Sequence, residues 1–181
     1  MQNYKAEHDA DLNFSFPDDL IWEELDRQGV KLPEKMSLVD FVIERETDIL
    51  LVEVKDPSNI YASEENRQKY LKKFQNNTLI VEELTPKGRN SYTFLHLMER
   101  DTKPFKYVIL LGLEAYEDSI QQALLGTFKD RLLGNIRNEA WEPWKRLHIQ
   151  DCLVLSVPAW NQHFPNWPIT RLSSAATPQG A

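Results

Sequence analysis

Two acidic residues and a lysine have the types and spacing of a site that handles phosphate groups through a metal ion. Asp40 lies near the start of one apolar run, and Glu53 and Lys55 lie near the end of the next. Mg²⁺ accepts one or two carboxylates as ligands and fills its other positions with water and phosphate oxygens. A lysine two residues beyond such a carboxylate could contact a phosphate group or a nucleophilic water.

The runs at 38–44 and 49–55 are rich in apolar, β-type residues, and a short charged break separates them. This pattern predicts a β-hairpin. Glu46 and Thr47 lack the glycine or asparagine of a two-residue turn, so the expected loop covers the four residues 45–48. In that register Asp40 lies directly opposite Glu53.

Side chains alternate between the two faces of a strand, so Asp40, Glu53 and Lys55 share one face of the predicted hairpin. Opposed carboxylates repel each other, and an unpaired charge among apolar residues is costly. A divalent cation would convert this repulsion into shared coordination. The expected cofactor is therefore Mg²⁺, with Mn²⁺ as a substitute.

Composition is that of an ordinary globular chain. A length of 181 residues suits one domain, which we expect over 1–172, with a disordered tail over 173–181. A net charge of −7 argues against binding through bulk positive charge but allows local phosphate contacts. The apolar runs are too short to span a bilayer, and the N-terminus has no apolar signal segment. Cys152 is the only cysteine, so the simplest expectation is a cytoplasmic protein without an intrachain disulfide.

Helical and strand patterns alternate along the rest of the chain, which predicts an α/β protein. We expect a mixed sheet with an antiparallel front hairpin and with helices on both faces. Residues 86–90 are expected to form a loop, and residues 79–81 suit either a helix extension or a short strand. In chain order the predicted elements are a helix over 15–29, the hairpin over 38–55, a helix from residue 63, a strand over 105–111, a helical region over 116–138 and a strand over 152–157.

An acidic residue on one strand, followed by Glu-x-Lys on the next, resembles the PD-(D/E)xK nuclease superfamily with its restriction endonuclease-like fold. The matching pieces are Val39-Asp40 and Glu53-Val54-Lys55, with Val39 in the place of the proline in the family's name. The resemblance covers about residues 15 to 157. It implies a nuclease, with DNA as the expected substrate, in which Asp40, Glu53 and the backbone carbonyl of Val54 bind Mg²⁺. It also implies that Lys55 orients or deprotonates the attacking water and stabilises the transition state.

Many members of this superfamily add an acid from the first helix, and Glu23 and Glu24 are the candidates here. On a helix, Glu24 would lie on the same side as Leu20 and Ile21, whereas Glu23 would point away. We therefore take Glu24 as the fourth catalytic and metal-binding residue that the resemblance implies.

Two other interpretations use the same residues. Asp40, Glu53 and Lys55 could form a charged cross-strand cluster in which the lysine bridges the two acids. The chain could also be an inactive member of the fold, serving as a binding or assembly subunit. The expected partner is nucleic acid, and no association with a membrane is expected. A homodimer is a further expectation.

Overall fold

The central sheet of this protein has an antiparallel half and a parallel half. The structure, a computed structural model, describes residues 1–5, 11–27, 29 and 31–175. Its central sheet has five strands that neighbour each other in chain order, from residues 21–24 to residues 151–156; the first three pair antiparallel and the last three pair parallel. This confirms the α/β class and the mixed sheet. The strands are β1 (Gln2–Lys5), β2 (Leu12–Phe16), β3 (Ile21–Glu24), β4 (Phe41–Glu44), β5 (Ile49–Lys55), β6 (Phe105–Leu111), β7 (Asp151–Ser156) and β8 (Ile169–Arg171).

Strands β4 and β5 form the predicted hairpin in the predicted register, with Phe41 opposite Val52. The loop covers residues 45–48, as expected. Arg45 closes it, because its backbone N–H donates to the Asp48 carbonyl at 2.9 Å and its guanidinium contacts both Asp48 carboxylate oxygens at 2.6 Å. This ion pair stabilises a loop that contains no glycine or asparagine.

Helices cover one face of the central sheet. Their buried residues include Phe74, Leu84 and Phe128, which pack on Tyr107 and Ile109 of β6. The helical regions predicted from residue 63 and over 116–138 are confirmed. These elements are α1 (Glu64–Gln75), a π-helical segment (Leu79–Leu84), α2 (Thr85–Leu97), α3 (Asp118–Gly126) and α4 (Phe128–Arg137).

The loop predicted over 86–90 is wrong, because these residues belong to α2. The π-helical segment runs directly into this helix, and the Thr85 N–H donates to the carbonyl of Ile80, five residues earlier. Pro86 lies in the first turn of α2, where the backbone hydrogen bonds change from the π to the α pattern and a residue without an N–H is tolerated. The proline that suggested a loop therefore lies where the two helical segments meet.

The opposite face carries a small antiparallel sheet with the strand order β1-β2-β8. It packs on the central sheet through an aromatic cluster that includes Phe14, Phe41 and Trp160. Helix α5 (Val157–His163) supplies Trp160, and α6 (Leu172–Ala175) follows β8. The prediction of helices on both faces is therefore wrong in part, since a second sheet covers much of this face.

The predicted helix over 15–29 is also wrong. Residues 12–16 are strand β2, and its buried Leu12, Phe14 and Phe16 alternate with half-buried Asn13 and Ser15. This period of two is the pattern of a strand that buries one face. Residues 21–24 form edge strand β3, which pairs with β4.

The predicted tail over 173–181 falls largely on residues 176–181, which lie outside the described residues. Residues 173–175 belong to α6 instead. The Ser173 N–H and hydroxyl donate to the Asp11 carboxylate at 2.7 and 2.6 Å, so this segment is tied to the small sheet.

Candidate active site

Asp40 immediately precedes β4, and its side chain is buried against the next strand. Its Oδ2 accepts a hydrogen bond from the Val54 N–H at 2.6 Å, and its carbonyl accepts one from the Leu25 N–H at 2.9 Å. The preceding residue is fixed by α2, because the Val39 N–H donates to the buried Ser91 hydroxyl at 2.9 Å. Two neighbouring strands and a helix therefore hold Asp40 in place.

Glu53 is fully buried on β5, between β4 and β6. The Nζ atom of Lys55 lies 3.0 Å from Glu53 Oε1, as the sequence placed these two residues on one face. A second ammonium group, that of Lys87, lies 2.8 Å from Oε1 and 3.1 Å from Oε2. Both oxygens of Glu53 thus accept hydrogen bonds from lysine.

Lys87 was missed by the sequence analysis, and it comes from the first turn of α2. The helix lies close to the sheet here because the next residue is Gly88. A Cβ atom at Gly88 would lie 3.0 Å from both the Tyr107 ring and the Ile149 side chain. Tyr107 also donates its hydroxyl proton to the Leu84 carbonyl at 3.0 Å. The sequence signal that could have found Lys87 is Pro86, because a proline is common in the first turn of a helix and the next residue would then be helical too.

Two further acids lie outside this group, and each contacts one of its lysines. Glu83, in the π-helical segment, has one oxygen 3.6 Å from Lys55 and the other 2.6 Å from Lys73. The half-exposed Asp26 has an oxygen 3.7 Å from Lys87. Lys55 therefore lies between Glu53 and the outer acid Glu83, and Lys87 lies between Glu53 and the outer acid Asp26.

Electrostatics in the site follow from burial and from these pairings. Burial raises the pKa of Asp40 well above its usual value, and the neighbouring Glu53 carboxylate raises it further. Burial alone would lower the pKa of Lys55 and of Lys87, but the attraction of Glu53 outweighs it and raises both pKa values. Both lysines are therefore charged at neutral pH, and both pair directly with Glu53.

The structure does not bring Glu24 together with Asp40, Glu53 and Lys55, and the helix from which its role was inferred is wrong. This residue lies on strand β3 rather than on a helix, and it pairs with Phe41. Paired residues share a face, so Glu24 lies on the aromatic side of the sheet, where its Oε1 is 3.5 Å from the Tyr4 hydroxyl. The acid of this segment that contacts the site is Asp26.

The donor set suits a hard cation such as Mg²⁺. Asp40 and Glu53 offer two carboxylates, the number that protein sites commonly give to Mg²⁺. No cluster of three or more His, Cys, Asp or Glu side chains suited to a metal occurs among the described residues, so water and substrate oxygens would complete the coordination. The buried Tyr70 hydroxyl has no hydrogen-bond partner among the described residues, and burial, followed by the charges of Glu83 and Glu53, raises its pKa.

A separate ion-pair cluster lies beside the C-terminal end of β5. Arg171 contacts Asp11 at 3.2 Å, Asp56 at 2.8 Å and Glu114 at 2.5 Å. Gly112 allows this arrangement, because a Cβ atom there would lie 2.0 Å from Asp56 Oδ1. The cluster joins the small sheet to the residue that follows Lys55.

Comparison with models of protein families, with curated proteins and with solved structures finds no match for this chain. Across the part of the chain that the structure describes, no helix has the length and apolar character needed to cross a membrane. The proposals below therefore rest on the site itself and on its resemblance in sequence pattern.

Proposed function

We propose that this protein is a divalent-metal-dependent nuclease that hydrolyses phosphodiester bonds, with DNA as its substrate. One observation carries the proposal. Asp40, which immediately precedes β4, and Glu53, on the neighbouring strand β5, are both buried, and the Lys55 ammonium lies 3.0 Å from Glu53. The mixed sheet with its antiparallel hairpin agrees with the fold that the sequence resemblance implies.

In this proposal Asp40, Glu53 and the Val54 carbonyl hold the Mg²⁺ ion. The bound ion supplies Lewis acidity toward the scissile phosphate and lowers the pKa of a coordinated water. Lys55 acts as a charged hydrogen-bond donor rather than as a base, because its acidic neighbours raise its pKa. Its role is to orient the attacking water and to stabilise the negative charge that develops on the phosphate.

Cleavage assays with Mg²⁺ or Mn²⁺ test the proposal on supercoiled plasmid, linear duplex, single-stranded DNA and RNA, with EDTA as the metal-free control. Lys55→Met and Asp40→Asn should each reduce cleavage by about 100-fold or more, the usual scale for losing an electrostatic contact in a transition state. Lys129→Met is a matched control, because Lys129 pairs with Asp151 at 2.9 Å on the surface. Cleavage by Lys55→Met at the wild-type rate would remove the proposal.

A second candidate function is a non-catalytic binding or assembly subunit with the same fold. The observation that favours it is that Lys55 and Lys87 both pair with Glu53 and already compensate the buried charge of this acid. Titration calorimetry with Mn²⁺ separates the two candidates. A wild-type protein that binds no divalent cation at millimolar concentration, and cleaves none of the substrates, would support the non-catalytic role.

A further inference from the structure

Lys87 and a divalent cation would compete for the same carboxylate. On the basis of the proposed function, we propose that the Lys87 ammonium occupies the position on Glu53 that a metal cation would take. Cation binding then moves this ammonium to Asp26. Lys87 is thereby a positioning residue that sets how tightly the site binds its metal. This role differs from that of Lys55, which the sequence pattern already indicates.

The contacts of Glu53 support this competition. Lys87 lies within 3.1 Å of both carboxylate oxygens, which are the atoms that a metal would need. An ammonium and a dication on the same carboxylate would repel each other strongly, because burial leaves little water to screen them. One of the two cations has to leave for the other to bind.

Asp26 is the position to which the ammonium can move. Its Oδ2 is 3.7 Å from Lys87 Nζ, so a small rotation of the lysine side chain makes a full ion pair. Its backbone is anchored beside the site, because the Asp26 N–H donates to the Asp40 carbonyl at 3.4 Å. Asp26 is about half exposed, so the displaced ammonium would regain contact with water there.

Lys55 is less suited to such a movement. Its Nζ atom lies 3.0 Å from Glu53 Oε1, and its outer acid is Glu83 at 3.6 Å. Glu83 is already paired with Lys73 at 2.6 Å, so Lys55 gains less from moving outward. The asymmetry between the two outer acids assigns the exchange to Lys87.

The test is calorimetric titration of the full chain with Mn²⁺ alone, without nucleic acid, in four proteins: wild type, Lys87→Met, Asp26→Asn and the double variant. Lys87→Met should bind Mn²⁺ about tenfold or more tightly than wild type, a change of about 1.4 kcal/mol or more. Asp26→Asn should bind Mn²⁺ several-fold more weakly than wild type, because the displaced ammonium loses its partner.

The double variant separates an exchange from simple attraction between Asp26 and the metal. If Asp26 acts through Lys87, then Asp26→Asn has no effect on Mn²⁺ affinity once Lys87 is methionine. Lys129→Met and Asp151→Asn alter an ion pair elsewhere and should leave the affinity unchanged. An equal or weaker affinity in Lys87→Met would overturn the inference, as would an undiminished effect of Asp26→Asn in the Lys87→Met background.

These outcomes also distinguish the inference from the proposed function. If wild type and Lys87→Met bind Mn²⁺ equally, the metal site stands and only the exchange is wrong. If neither protein binds Mn²⁺, both the metal-dependent function and the exchange are wrong. Should Lys87→Met fail to fold, the half-exposed Asp26 still decides, because an unchanged affinity in Asp26→Asn overturns the exchange.

Discussion

The carboxylate of Asp40 accepts a hydrogen bond from the backbone N–H of Val54 at 2.6 Å. This side chain takes a place that a backbone carbonyl would occupy in a longer ladder, and so it closes the end of the hairpin. One acid of the candidate metal site is therefore also part of the sheet. Its structural role and its charge can be separated by two substitutions.

We expect Asp40→Asn and Asp40→Ala to differ in stability when metal is absent. Asparagine keeps an oxygen that can accept from Val54 and removes a charge beside Glu53, so the free energy of unfolding should stay the same or rise. Alanine leaves the buried Val54 N–H without a partner, which should cost about 1–3 kcal/mol. Urea denaturation in EDTA measures both values. Equal losses in the two variants would show that the charge of Asp40 itself stabilises the fold.

Asp48 should make stability depend on acidic pH. Burial would raise its pKa, but Arg45 and Lys106 outweigh burial and lower the pKa below 3.8. The folded pKa is thus below the unfolded one, so the stabilisation is present above the unfolded value and is lost as pH falls through the folded value. Asp48→Asn should cost about 1–3 kcal/mol at pH 7.

Denaturation at a series of pH values measures this effect. The gap in unfolding free energy between wild type and Asp48→Asn should narrow as pH falls below about 4, because Asp48 then binds a proton in the unfolded state while it stays ionised in the folded state. The exposed Asp19 provides the control, and Asp19→Asn should leave stability unchanged. A gap that stays constant into acid would contradict the role given to the Asp48 charge.

Arg171 should be a major contributor to stability through the acids that it compensates. Asp11 is buried beside it and the Asp56 side chain is only 9% exposed, so Arg171→Met leaves both carboxylates without their cation and should cost about 3–5 kcal/mol. Adding Asp56→Asn removes one unpaired charge and should restore part of the loss. Thermal or urea denaturation of both single variants and the double variant gives the coupling free energy between Arg171 and Asp56. A loss below about 1 kcal/mol in Arg171→Met would show that water reaches the cluster.

Two helical glycines should respond in opposite ways to alanine. Among the described residues, no atom outside the local helix backbone lies within 4 Å of a Cβ atom built at Gly134, so Gly134→Ala should gain the helix propensity of alanine, about 0.5–1 kcal/mol. At Gly88 the same atom would lie 3.0 Å from Tyr107 and Ile149, so Gly88→Ala should lose stability relative to Gly134→Ala by about 1 kcal/mol or more. Chemical denaturation measures both. Equal gains would mean that α2 can move away from the sheet at no cost.

The sequence was sufficient to predict the hairpin, because its signals are local. The apolar alternation around Asp40 and Glu53 and the length of the break between them determine the register, and hence the shared face. The strand at 105–111 and the later helices likewise have the apolar pattern of their own segments. None of these predictions required knowledge of a distant neighbour.

Lys87 and Glu24 show where this reasoning failed. Lys87 contacts a residue 34 positions earlier, and that contact depends on how closely Gly88 lets α2 pack on β6. Glu24 was assigned from helical spacing, whereas pairing with β4 makes its segment a strand. Tertiary pairing overrode a local acidic pattern that resembles a helix start, which is a general weakness of propensity arguments.

The number of residues in the π-helical segment Leu79–Leu84 affects where the charged groups beyond it are placed. Glu83 lies within this segment and Lys87 lies in the helix that continues it, so one uninterrupted helical rod supplies two groups of the charged network. Because a π-helical turn holds about one residue more than an α-helical turn, removing one residue would let the segment relax to α-helical hydrogen bonding while the direction of Lys87 stayed nearly unchanged. Removing a second residue would shorten an ordinary α-helix and would turn Lys87 away from Glu53 by about 100°. This stretch can therefore lose one residue and keep the site, but it cannot lose two.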